Sequence, residues 1–190
     1  MKQRGGFVSN SSSSSFLLCY NDRSDFDVLK NYKGYETFMD DLAPGNEQAI
    51  VEFLHDQCES DLYSYRWYVE SKNRGRISFA FHRDASLELP EMCKKLGCQS
   101  EEINNVIKEG TDLIEKDCEN LDYDGISKIA TKFAKLVYDG IKDKWKNFGI
   151  VGYSDNDGDF HGYMEHEFMS GIVSSHESDS NYKIVIKNEH

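Results

Sequence analysis

The sequence predicts an α+β fold with a mainly antiparallel sheet, strands near both ends of the chain and amphipathic helices in the middle. Three observations carry this expectation. Short apolar or alternating runs stand at Phe16–Tyr20, Phe148–Tyr153 and Tyr182–Lys187, whereas apolar residues recur at helical spacing through much of the interval between them. That order, strands outside and helices inside, does not match the regular strand–helix alternation of a parallel α/β winding. With 190 residues, 11 Phe, 11 Tyr and 2 Trp, the chain has enough apolar surface for one domain. It reads as a Ser-rich arm over 1–15 followed by a single α+β domain over 16–190.

Phe16-Leu-Leu-Cys-Tyr20 is a continuous apolar run of the kind found in a buried first strand. Ser24 with Asp27 has the spacing of a capping box opening a short helix. Pro44-Gly45 punctuates the chain, and behind an Asn46 N-cap the residues Ile50, Phe53, Leu54, Cys58 and Leu62 form a helical stripe. Tyr65–Ser71 and Arg76–His82 both alternate, so with Lys72–Gly75 between them they predict an antiparallel hairpin. Pro90 and Gly97 bracket a short helix. From Ser100, the series Ile103, Val106, Ile107, Gly110, Ile114, Cys118 and Leu121 predicts a longer one, weakened at Gly110. A further helix is expected from about Gly125 to Lys146, with Ile129, Phe133, Leu136, Val137, Ile141 and Trp145 inward.

The balance of 22 basic against 34 acidic residues gives a formal charge of −12. Nucleic acid and anionic membrane reward Lys and Arg, so both are poor partners for the protein as a whole. No Lys or Arg falls between Lys33 and Arg66, where eight acids do. A solvated helix face accounts for such a run; an acidic docking face for a basic partner also does. On the docking reading Glu47, Glu52, Asp56 and Glu59 are the partner-binding residues.

Five cysteines cannot all pair within one chain, and most fall on apolar faces, which fits reduced thiols in a cytoplasm. The apolar stretch at Phe16–Tyr20 is too short for a secretory leader, and no run is long enough to span a membrane. The expected location is therefore the cytoplasm of a bacterium or of a phage-infected host.

The opening Arg4-Gly-Gly-Phe-Val-Ser-Asn-Ser-Ser-Ser-Ser-Ser-Phe16 is the most distinctive string. It resembles the start of a group of uncharacterised phage and bacterial open reading frames. Tyr153-Ser-Asp-Asn-Asp-Gly-Asp159 and Met164-Glu-His166 resemble a C-terminal signature of the same group. The resemblance implies a phage-linked or bacterial origin and no activity. Ser9, Asn10, Ser11, Ser12 and Ser13 offer hydroxyls and backbone N–H groups suited to a phosphate nest, but the lysine of a phosphate loop is missing; a polar arm is the simpler reading.

Asp155, Asp157, Asp159, His161 and Glu165 form the one metal-like constellation. The aspartates have the first spacings of a calcium loop, yet Phe160 stands in place of the turn glycine. His161 and His166 are five apart, one too many for a helical zinc pair, whereas on a strand His161, Glu165 and Glu167 would share a face. A divalent cation is the cofactor such residues would take; Asx turns explain the same residues without one.

Two functions follow. The first is a non-enzymatic accessory protein that binds another protein, one with a basic surface, through acidic surface; anti-defence activity and nucleic-acid mimicry are its subclasses. The second is a small metal-dependent or nucleotide-handling enzyme using the Asp155–Glu167 cluster. Neither direct nucleic-acid binding nor membrane association is expected.

Overall fold

The computed structural model describes residues 13–75, 87–154, 159–176 and 181–189. Along the chain strands lie near both ends and helices fill the middle, and the strands form a three-stranded antiparallel sheet. The chain divides into two compact units: Met1–Pro44 joined with Gly149–His190, and the continuous segment Gly45–Phe148.

The first unit holds the sheet, in the order β2-β1-β3, with β1 at Ser13–Tyr20, β2 at Asn147–Ser154 and β3 at Tyr182–Glu189. In the β1–β3 register Phe16, Leu18 and Tyr20 stand opposite Ile186, Ile184 and Tyr182. These residues alternate along their strands, so they share one face, and on it they meet Val151 and Tyr153 of β2. Leu17 and Cys19, which point the other way, are also fully buried. A 3₁₀ turn at Arg23–Leu29 and a helix α1 at Tyr35–Asp41 add Phe26, Leu29 and Phe38 to the same core. Phe26 is its centre: its ring lies 5.2 Å from both Tyr20 and Phe38 and 4.8 Å from Tyr182. Each such fully buried aromatic side chain contributes roughly 1.5–3 kcal/mol through removal from water.

Between β2 and β3 the described residues are helical. They form α6 (Asp159–Tyr163), a π-helical segment (Met164–Met169) and α7 (Ser170–His176), with Met164, Phe168, Met169 and Ile172 in the core. Gly34, at the start of α1, takes φ +96, and a Cβ there would stand 2.7 Å from Met164 Sδ, so both conformation and space require glycine.

The second unit is helical: α2 (Glu47–Asn73), α3 (Leu89–Leu96), α4 (Glu101–Lys116) and α5 (Tyr123–Ile141). Helix α2 packs along α5 and α4, and α4 along α5. Their starts follow from side-chain caps. Asn46, Ser100 and Asp122 accept the N–H groups of Ala49, Ile103 and Gly125 at 2.9, 3.1 and 3.0 Å.

Several elements differ from expectation. Tyr65–Ser71 is not a strand; it is the last third of α2. Alternation put Trp67 and Val69 on one side, but two residues turn a helix by about 200°. Accordingly Val69 is 8% exposed and Trp67 56%. The second half of the expected hairpin, Arg76–His82, lies outside the described residues. The capping box near Ser24 is built two residues earlier, from Asp22 and Asp25. Helix α5 begins at Tyr123 and ends at Ile141, so half-buried Trp145 falls beyond it. The first strand begins at Ser13 rather than Phe16. Finally, residues 159–176 are helical, which removes the strand that would have placed His161, Glu165 and Glu167 on one face.

Candidate functional site

Of the four acids assigned to partner binding, three stay together. Glu52, Asp56 and Glu59 follow at spacings of four and three and share a stripe of α2. Glu47 lies about 140° around the helix from Glu52, on the side near Tyr138 of α5. It does not belong to the stripe. Glu52 accepts from Gln48 at 2.9 Å, and Asp56 remains half-exposed.

The stripe does not end with the acids. It continues through Tyr63, Arg66 and Trp67, which the sequence reading had assigned partly to a strand. Arg66 donates from Nε to the Cys118 carbonyl at 3.0 Å and from Nη1 to the Tyr123 hydroxyl at 2.8 Å, and its guanidinium lies 5.6 Å from the Tyr123 ring centre. The Tyr63 and Tyr123 rings are 5.9 Å apart. Tyr63, Tyr123 and Arg66 thus form one cluster, and Tyr123 and, farther along the same stripe of α2, Trp67 are each 56% exposed.

His55 stands beside the acidic part of the stripe. Its Nδ1 is 3.2 Å from Asp56 Oδ1, and its Nε2 is 3.2 Å from Ser127 Oγ and 3.7 Å from Glu59 Oε1. Connectivity alone is that of a serine–histidine–aspartate relay. Yet Ser127 is an interior residue of α5, where backbone N–H groups are committed to the helix, and Asp56 is half-exposed. The arrangement joins α2 to α5 and fixes two acids of the stripe. No local pattern points to it, because His55 and Ser127 are 72 residues apart.

In the first unit the described members of the metal-like set stand apart. Asp155 and Asp157 lie outside the described residues, as do Ser9, Asn10, Ser11 and Ser12 of the serine string. Asp159 opens α6. His161 is exposed, its ring edge-on to Tyr153 at 6.1 Å. Glu165 points the other way, 3% exposed, and accepts a hydrogen bond from Ser14 Oγ at 2.9 Å. Its second oxygen, Oε2, has no hydrogen-bond partner among the described residues. Among the described residues no three His, Cys, Asp or Glu side chains gather as a metal site. The π-helical turn explains the separation: an extra residue in the turn, with Ser170 donating its hydroxyl to the Glu165 carbonyl at 2.9 Å, sets Glu165 beside Met164, Phe168 and Met169.

Among the described residues no helix is long and apolar enough to cross a membrane. No family model, no curated protein and no solved structure matches the chain.

Proposed function

We propose that the chain is a non-enzymatic accessory protein, of a phage or its bacterial host, that binds a basic protein partner through the exposed stripe of α2. One observation carries the reading: Trp67 and Tyr123, each 56% exposed, continue the line of Glu52, Asp56 and Glu59. Exposed Trp and Tyr beside an ordered Arg are the residue types that dominate binding energy at protein interfaces. Acids next to them steer a basic partner to the surface and raise the association rate. The two halves therefore have separate tasks, the acids in encounter and the aromatics in retention.

The test begins with purification of the full chain from its host and identification of what co-elutes in fixed proportion, followed by binding kinetics with that partner. Association is expected to slow steeply with salt, since screening shortens to about 8 Å at physiological ionic strength. Neutralising Glu52, Asp56 and Glu59 to Gln is expected to flatten that dependence, whereas Glu47→Gln leaves it unchanged. Trp67→Ala is expected to raise the dissociation rate about tenfold or more. An association rate indifferent to salt, in a complex indifferent to Trp67, overturns the proposal.

A further inference from the structure

A second feature of the helical unit lies away from the stripe, where α3 ends. Gly97 takes φ +70, the Cys98 N–H donates to the Cys93 carbonyl at 3.0 Å, and the Gly97 N–H donates to the Lys94 carbonyl at 3.0 Å. This is a Schellman cap, in which the residue after the glycine is brought back over the last turn of its own helix. Apolar residues usually make that contact. Here both are cysteines, free and buried, 2% and 5% exposed. The cap draws their backbones together and brings the Cys98 side chain back over Cys93. Cys98 Sγ, as a thiol, donates to the Cys93 carbonyl at 3.5 Å. Gly140 of α5 gives Cys98 its seat, since a Cβ there would stand 3.0 Å from Cys98 Cβ.

We propose that Cys93 and Cys98 form a reversible dithiol site, closed to an intramolecular disulfide by a low-molecular-weight disulfide oxidant. Cys98 is the attacking sulfur. The neighbouring Cys93 thiol holds its ionisation below the ordinary thiol value, and the Lys144 ammonium, which is bonded to the Gly97 carbonyl beside it, acts in the same direction. Cys93, by contrast, is held protonated by its neighbour Cys98 and by burial. It is thus the resolving thiol. The Cys98 thiolate attacks one sulfur of the oxidant, breaking its S–S bond and releasing one thiolate. Cys93 then gives up its proton to solvent and attacks Cys98 Sγ of the mixed disulfide, releasing the second. Two protein thiols are oxidised by two electrons, one disulfide is reduced to two thiols, and the protons balance.

Gly97 and Gln99 on either side of Cys98 are exposed, so displacement of the cap opens a path for a small oxidant. Cys58 provides an internal control. It too is buried and lies near Cys93, but burial pushes its thiol up, so it is a poor nucleophile.

The experiment treats the folded full chain with oxidised glutathione in native buffer, alkylates the remaining thiols, and maps the products by mass spectrometry. The expected product has lost two hydrogens and carries a Cys93–Cys98 bridge, with Cys19, Cys58 and Cys118 alkylated. Cys93→Ser is expected to stop at a stable glutathione adduct on Cys98, and Cys98→Ser to slow total oxidation about tenfold or more. A bridge that forms only in denaturant, one that maps to Cys58, or no oxidation of the native wild-type chain each overturns the proposal, whatever the variants do.

Discussion

The carboxylate of Asp61, midway along α2, accepts the backbone N–H of Leu89, the first residue of α3, at 3.1 Å. Helix α3 has no cap of its own, because Glu88 makes no side-chain hydrogen bond to it. Asp61 therefore caps a helix 28 residues downstream from within the face of another. It occupies a position, one residue before Leu62, where the helical period of α2 calls for burial.

That placement makes stability depend on pH. Burial pushes Asp61 up to about 6, outweighing the hydrogen bonds from Leu89 and Glu88 that act the other way. The folded carboxyl thus binds its proton more tightly than the unfolded one, which titrates near 4. Between about pH 4 and pH 6 the folded state holds more protons, so stability falls as pH rises. A two-unit difference corresponds to roughly 2–3 kcal/mol. Asp61→Asn keeps an acceptor for Leu89 and removes the titration. Urea unfolding at several pH values is expected to show a wild-type curve falling by that amount relative to the Asn variant. Parallel curves contradict the assignment.

Gly110 weakens α4 as a helix former, and its neighbour explains why it is there. A Cβ at Gly110 would stand 2.8 Å from Leu62 Cδ2 and 3.0 Å from Cδ1, and Leu62 is fully buried. Alanine gains about 1 kcal/mol of helix propensity but overpacks the α2–α4 contact, which costs about 1–3 kcal/mol. The expected net effect of Gly110→Ala is a loss of about 1 kcal/mol. In a Leu62→Ala background the space exists and the sign is expected to reverse. A destabilisation that persists in that background would place the strain elsewhere.

Local signals were the legible part of this fold. Asn46, Ser100, Pro90 and Gly97 each sit beside the helix end they specify, and caps act through neighbouring atoms. Two local signals misled. Tyr65–Ser71 alternates over seven residues, too few to outweigh the helix already running from Glu47; the exposure of Trp67 is invisible in the alternation. Over 164–172 a helical period exists in Met164, Phe168 and Ile172, but Glu165 occupies one core position and the π-turn adds a residue. The contacts that shape the sites were beyond any local pattern. Ser14 and Glu165 are 151 residues apart, His55 and Ser127 72. Only the Cys93–Cys98 pair was within reach of the sequence, through the glycine between them that makes the cap.

The Ser14–Glu165 pair makes a sharp prediction because one carboxylate oxygen is already without a partner among the described residues. Ser14→Ala strands the other and is expected to cost about 1–3 kcal/mol. Replacing both partners, with Ser14→Ala and Glu165→Met, removes the buried polar groups together and fills the space beside Met164, Phe168 and Met169. The double variant is expected to be more stable than Ser14→Ala alone. Additive losses in denaturant unfolding would mean that the two side chains do not act as a pair.

The same pair decides where the N-terminal arm ends. In β1 the residues Ser13, Ser14 and Ser15 stand opposite Glu189, Asn188 and Lys187. A chain starting at Phe16 loses these three pairings and the hydroxyl that Glu165 binds. A chain starting at Ser13 keeps every contact described for the strand. Serine has little strand preference of its own, so what holds these three residues is pairing and the buried carboxylate rather than propensity. Removal of residues 1–12 is therefore expected to leave the melting temperature within about a degree of the full chain. Removal of 1–15 is expected to lower it by roughly 2–12 °C, as a loss of about 1–3 kcal/mol does in a chain of this size. Thermal unfolding of both truncations followed by circular dichroism gives the comparison, and equal melting temperatures for the two would place the start of the structurally required strand at Phe16.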